Sequence, residues 1–272
     1  MTPGRLMLHE PALLGARLRG AAVTGSYDTR GAFHGNPQGS RELDFEQALF
    51  GSVRVLRRGQ AGVLVPVLES YRSSATTGSE FGGGLGDIAV SARYDLVWAG
   101  EHRVIPGSAL ILGLSLPSGR SPEAAEQPLG SDTTGVGAVR ASVGLALEQT
   151  FGDWLVAFTA LASKRANRHV GGVTSARAIE WDLLAALGYS FSHDVGAACL
   201  LSYAFEGNAS LDGREVAASS KRLLEISFAA TAPLGQVFRA QGALFFTPPF
   251  DGVGQNRLAE AGLSLSLIRS FL

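Results

Sequence analysis

The feature that most narrows what this chain can fold into is a period-two alternation of apolar and polar residues, held over unusually long segments. Along Gly84–Trp98, Ile88, Val90, Ala92, Tyr94, Leu96 and Trp98 fall in one phase, and Asp87, Ala89, Ser91, Arg93, Asp95 and Val97 in the other. Successive strand side chains point to opposite faces of a sheet, so the pattern writes an oily face and a wetter one. Arg41–Val55 sets Leu43, Phe45, Leu49, Val53 and Val55 against Glu42, Asp44, Glu46, Ser52 and Arg54. Val139–Phe151 sets Val143, Leu145 and Leu147 against Arg140, Ser142 and Glu148, and Ile179–Phe191 repeats the scheme with Glu180 and Asp182 on the polar side. A helix would need apolar positions three and four apart, which these segments lack. Strands of soluble sandwiches and small barrels run about five or six residues. A tilted strand needs roughly nine to eleven to cross the apolar layer of a bilayer, and the segments here are about ten to fifteen residues long.

Composition supports the same reading. Charged residues make up only 17 % of the chain, against about a quarter in soluble proteins, so much of the outer surface does not face water. No run of eighteen apolar residues exists, which excludes a transmembrane helix. A chain that spans a membrane without one has to close its sheet into a barrel, because every backbone polar group must find a partner inside the protein. The net charge of −1 argues against a nucleic-acid partner, which would call for a clustered basic surface. With Cys199 as the single cysteine, neither an internal disulfide nor a cysteine-based zinc cluster can form, and no cofactor or metal is expected.

Further strands are expected near Leu14–Tyr27, Ala61–Tyr71, Ile105–Leu116, Trp154–Arg165, Val195–Glu206, Arg222–Thr231, Val237–Thr247 and Arg257–Phe271. The first separates its two faces poorly, and Pro66 and Pro106 interrupt two others, since proline cannot donate to a ladder. The total is about twelve, an even number, as single-chain bacterial barrels require. Connection lengths give an independent check. Short turns are expected at Arg57–Gln60, Ala99–His102, Gly152-Asp153, His193-Asp194 and Pro233–Gln236. Long polar loops alternate with them at Arg30–Ser40, Ser73–Gly83, Gly119–Gly135, Ala166–Ser175, Gly207–Ser220 and Pro248–Asn256. That asymmetry belongs to membrane barrels, whose periplasmic turns are short and extracellular loops long. The fold class is therefore all-β: one closed, antiparallel, up-and-down transmembrane barrel in the bacterial outer membrane, with both termini periplasmic. Residues 1–12 are expected to be a poorly ordered lead-in and 13–272 the barrel. Met1–Ala22 lacks a clean hydrophobic region and a cleavage site, so no signal peptide is read there: either this is a mature or truncated chain, or the barrel reading is wrong.

Aromatic residues gather near expected strand ends (Tyr94, Trp98, Phe151, Trp154, Tyr189, Phe191 and Phe205), as interface girdles would. The final segment alternates Leu263, Leu265, Leu267 and Phe271 with Ser264, Ser266 and Ser270. Its aromatic end resembles the terminal signal read by the barrel-assembly machinery, although Leu272 follows the Phe. Gly83-Gly84-Leu85-Gly86-Asp87-Ile88, continuing through Ala92-Arg93-Tyr94, resembles the Gly-Leu-Gly-Asp strand of the phenol-degradation meta-pathway family of outer-membrane proteins. Leu114-Ser115-Leu116-Pro117-Ser118-Gly119 is similar to the Leu-Pro-Thr-Gly that ends the next strand in that group, with Ser in place of Thr. The resemblance spans roughly Gly83–Gly119 and implies an outer-membrane channel linked in some members to uptake of aromatic compounds. It implies no catalytic residues.

Charged residues in the polar phase are the functional candidates. A Lys or Arg facing lipid near the midplane would cost about 2–4 kcal/mol, so these side chains should point inward. The expected pore-lining set is Glu42, Asp44, Glu46, Asp87, Arg93, Asp95, Arg140, Glu148, Arg165, Glu180, Asp182, Glu206, Glu225 and Arg239, with Arg17, Arg19 and Arg54 in the same phase. Such charges either bias which solute passes or pair into a network that fills a narrow barrel. Small residues in the same phase, among them Ser91, Gly113, Ser142, Gly144 and Gly188, favour open volume. The expected function is passive passage of small, aromatic or apolar solutes through a monomer whose partners are membrane lipid, the solute and, during biogenesis, the assembly machinery. A closed structural or adhesive barrel with partner-binding loops is the alternative. A hydrolase is a weaker one: His34 and His169 fall in outer loops without a nucleophile motif. Gly82–Gly86 lacks the Lys-Ser/Thr of a phosphate loop, Cys199 shares the lipid-facing phase, and Asp132, Asp212 and Glu215 lack calcium-ligand spacing.

Overall fold

The computed structural model describes residues 5–7, 9–102, 104–191 and 195–271. Twelve long strands carry the fold: β1 (Ala12–Tyr27), β2 (Arg41–Leu56), β3 (Gly59–Ser74), β4 (Ile88–Val97), β5 (Gly107–Leu116) and β6 (Arg140–Phe151), then β7 (Trp154–Arg165), β8 (Glu180–Ser190), β9 (Gly196–Glu206), β10 (Lys221–Leu234), β11 (Phe238–Phe246) and β12 (Arg257–Phe271). Each pairs antiparallel with its sequence neighbours, and β12 returns to pair with β1 from Ala12↔Phe271 to Tyr27↔Arg257. The ring is closed, which satisfies the backbone in a bilayer and leaves no free edge. Because Ala12 also lies beside Val53, the starts of β1 and β3 and the ends of β2 and β12 share one rim.

The alternation read from the sequence decides which side chains face out. Leu265 is 57 % exposed on the outer surface, whereas Ile268 is 2 % exposed inside. Leu18, Leu49, Val143, Leu145, Leu183 and Leu187 all lie on the outer surface, and so does Cys199. At the rim that holds the strand starts, Trp154, Tyr189 and Phe191 stack edge to face with centroids 4.9 Å apart at each step. Trp98 lies there under the Arg58 guanidinium, 4.8 Å from its carbon. These rings form a girdle at the level where headgroups would meet the protein.

Two connections differ from expectation. Ser73–Gly83 is not a loop: β3 continues to Ser74, turns at Ala75–Thr77, and a further strand (Gly78–Leu85) runs back along it. The glycine run 82–84 weakens an alternating signal without breaking the ladder. The connection after β4 is longer than a turn, from Trp98 to Pro106, because Pro106 cannot donate and the ladder begins at Gly107. Elsewhere the rhythm holds. Gly152, at φ 60°, and Asp153 close a two-residue hairpin, in which glycine supplies the left-handed first position. The expected turn at His193-Asp194 lies outside the described residues. At the opposite rim, two hairpins, Arg168–Val170 with Val173–Ala176 and Ser210–Leu211 with Arg214–Glu215, join into a small separate sheet.

Candidate functional site

The inner face is charged but highly ordered. In the upper tier, toward the long loops, the Glu180 carboxylate is met by Arg257 at 3.0 Å, Arg165 at 3.1 Å and Arg140 at 3.2 Å, and Arg140 also reaches Asp182 at 3.0 Å. Glu206, 1 % exposed, stands in register between Glu180 and Lys221, and neither of its carboxylate oxygens has a hydrogen-bond partner among the described residues. Across the lumen Arg72 binds Asp44 at 2.8 Å and Glu42 at 3.4 Å, and the Ser70 hydroxyl donates to Asp44. The middle tier pairs Arg17 with Glu46 and Arg19 with Glu260 at 3.1 Å, while Glu225 accepts from Ser227. Arg19 also lies 4.3 Å over the Phe245 ring. In the lower tier Arg93 bridges Asp95 and Glu148, both at 3.0 Å.

Arg72, Arg257 and Glu260 are absent from the sequence-derived set. Arg72 lies just past the expected end of its strand. Glu260 lies at the bulge between Val23 and Gly25, which shifts the register of β1 against β12.

The N-terminal segment enters the lumen. Of residues 1–12, residues 1–4 and Leu8 lie outside the described residues. Leu6 is 4 % exposed and packs with Leu13, Ala48, Phe50, Leu64 and Ile268. Its N–H donates to Gln60 Oε1 at 3.1 Å. Arg5 reaches Glu148 on β6, five strands round the ring from β1. Glu10, 3 % exposed, accepts from the Met7 N–H at 2.7 Å and from the Ser270 hydroxyl. Arg54 donates to the main-chain carbonyls of Met7 and Glu10. Arg5 and Glu10 were not legible as lumen residues, yet a signal exists. Ala48, Phe50, Leu64 and Ile268 put an apolar patch in the polar phase, and Leu6 is the residue that covers it.

Beside this insert is a cavity of about 660 Å³. Leu6, Phe50, Leu64 and Ile268 form its apolar side; Arg5, Arg17, Arg54 and Arg239 face it, with Asp95 the one acidic residue in its wall among the described residues. The small inner residues do not all translate into open space. Ser142 Oγ sits against Gly113 and the Leu161 side chain against Gly144, while the Phe50 and Phe245 rings lie over Gly15 and Gly262 on neighbouring strands.

Asp87 has a different task from the other acids. Its carboxylate accepts from the Gly119 N–H at 3.0 Å and the Val136 N–H at 2.9 Å. The Ser118 hydroxyl, in turn, accepts from the Ile88 N–H at 2.9 Å and donates to the Gly86 carbonyl at 2.8 Å. The two family-like motifs therefore bind each other and clasp the loop from Pro117 to Val139. Within that loop, backbone N–H groups of Glu126 and Gln127 and the Arg120 guanidinium converge on Asp132 and hold its carboxyl below the ordinary range. His169 pairs with Thr174 at 2.8 Å and His34 with Asp28 at 3.4 Å.

No protein-family model and no curated protein matches this sequence. The fold does match solved structures. The COG4313 outer membrane channel from Pseudomonas putida F1 superposes with a TM-score of 0.76 at 13 % identity, over 99 % of this chain and 97 % of that one. The NanC porin gives 0.53 at 11 % identity, over 95 % of this chain and all of that one. A variant of the TodX monoaromatic hydrocarbon channel gives 0.50 at 10 % identity, over 96 % and 90 %. The chain has the fold of the outer-membrane β-barrels, a closed ring of twelve antiparallel strands.

Proposed function

We propose that this protein is an outer-membrane channel that passes small solutes, aromatic or apolar ones among them, by diffusion. The observation that carries the reading is the lumen itself: tiers of charged residues above a cavity of about 660 Å³ that is part apolar and part cationic. A barrel serving only as a wall has no need of such a cavity. The resemblance of Gly83–Gly119 to the phenol-degradation family, and the fold shared with named channels, support the same class. In this reading the rim of short turns and both termini is periplasmic, the long loops are extracellular, and the barrel is a monomer inserted by the assembly machinery. Arg5, Leu6, Met7 and Glu10 form the constriction a solute has to pass.

The test is conductance in planar bilayers of the full chain and of a variant lacking residues 1–10. Discrete steps, larger in the shortened protein, are expected. Correctly folded protein that stays silent in both forms would instead favour the second reading, a closed barrel acting through its outer loops. The folding of those loops into a small sheet of their own is the observation on that side.

A further inference from the structure

We propose that the cavity beside the N-terminal insert is a binding station for small organic anions with an apolar body, such as aryl or short alkyl carboxylates. The inference deepens the channel reading by naming its solute class, and it rests on the charge and shape of this one cavity. Its volume, about 660 Å³, falls within the range of small-molecule sites, which are mostly apolar with a few placed polar groups.

The charge in its wall is lopsided. Four guanidinium groups face it; Arg5 is paired with Glu148 and Arg17 with Glu46, and the Asp95 carboxylate is held by Arg93 at 3.0 Å, so Arg54 and Arg239 carry the excess charge. Arg54 directs its donors to main-chain carbonyls, those of Met7, Glu10 and Arg57. Carbonyl oxygens satisfy its N–H groups without cancelling its charge. Arg239 comes no nearer than 4.0 Å to Glu10, and its Nε is buried with no hydrogen-bond partner among the described residues. The Glu10 carboxylate is meanwhile occupied by the Met7 N–H and the Ser270 hydroxyl. Two cations therefore reach the cavity without a carboxylate of their own in close contact. A guanidinium fork matches a carboxylate in two parallel hydrogen bonds, and that pairing is strongest where water is partly excluded. Opposite lies the apolar cluster around Leu6, where an aromatic ring or short chain would replace water. A neutral hydrocarbon would use only that half of the cavity, and an ammonium would meet like charge.

The test is titration calorimetry on the folded full chain in detergent with three shape-matched probes: benzoate, benzamide and benzylammonium. Benzoate is expected to bind at least tenfold more tightly than benzamide, with benzylammonium weakest. Arg239→Gln should reduce the preference for benzoate at least fivefold and leave benzamide unchanged, while Arg239→Lys, which keeps the charge but not the fork, retains only part of it. Equal binding of benzoate and benzamide by the unaltered protein would overturn the proposal without recourse to any variant, as would a preference that survives Arg239→Gln. Conductance separates the two readings: silent bilayers with selective benzoate binding reject transport and uphold the site, whereas open channels with unselective binding reject the site alone.

Discussion

Three guanidinium groups, of Arg140, Arg165 and Arg257, meet the Glu180 carboxylate within 3.2 Å, and its side chain is only 8 % exposed. Asp182, next on the same face, pairs with Arg140 at 3.0 Å and is 35 % exposed. The difference in environment sets the difference in worth. Removing a buried charge strands its partners and costs about 3 kcal/mol or more; an exposed pair contributes within about 1 kcal/mol. Glu180→Gln should therefore lower the urea midpoint of the barrel in detergent clearly, and Asp182→Asn should leave it nearly unchanged. Equal shifts would show that the triple contact on Glu180 carries no special weight. That Glu180 faces inward was legible from its phase. That three arginines converge on it was not, because Arg257 comes from the far end of the chain and register between distant strands is not written in either strand alone.

All twelve strands were legible, with ends placed to within about four residues, since a sustained two-residue period leaves little freedom in where a strand runs. The connections were less so. Gly78–Leu85 hid within a glycine-rich stretch, and the clasp joining Asp87 to Gly119 and Val136 needs backbone N–H groups, which carry no residue identity. Asp132 is the group through which the clasped loop should respond to acid. Its carboxyl titrates below the ordinary value because backbone N–H groups and Arg120 favour the charged form. A lowered folded-state value contributes order that is present above the ordinary carboxylate range, about pH 4, and is lost as pH falls through the lowered one. Pepsin should therefore nick the 120–137 segment several-fold faster at about pH 2 than at about pH 4, relative to an unstructured peptide control. Asp132→Asn should abolish that acid dependence. An unchanged profile in the variant would remove Asp132 from the account.

Across the whole molecule the chain keeps one arrangement: oil outside, charge inside, and a short N-terminal segment folded into the lower lumen. The outer face and the ring closure follow from alternation and from the need to satisfy every backbone group in lipid. The insert does not follow from them. It answers a local defect in the pattern, the apolar patch of Ala48, Phe50, Leu64 and Ile268 on an otherwise polar face. The most direct test of the barrel is a spin-label scan of positions 142–148 on β6 in lipid bilayers, on a Cys199→Ser background. The predicted result is a strict alternation of accessibility to oxygen dissolved in the lipid, high at Val143, Leu145 and Leu147 and low at Ser142, Gly144, Ala146 and Glu148. Uniform accessibility across the seven positions, or strong exposure of Leu145 to a water-soluble relaxant, would contradict it.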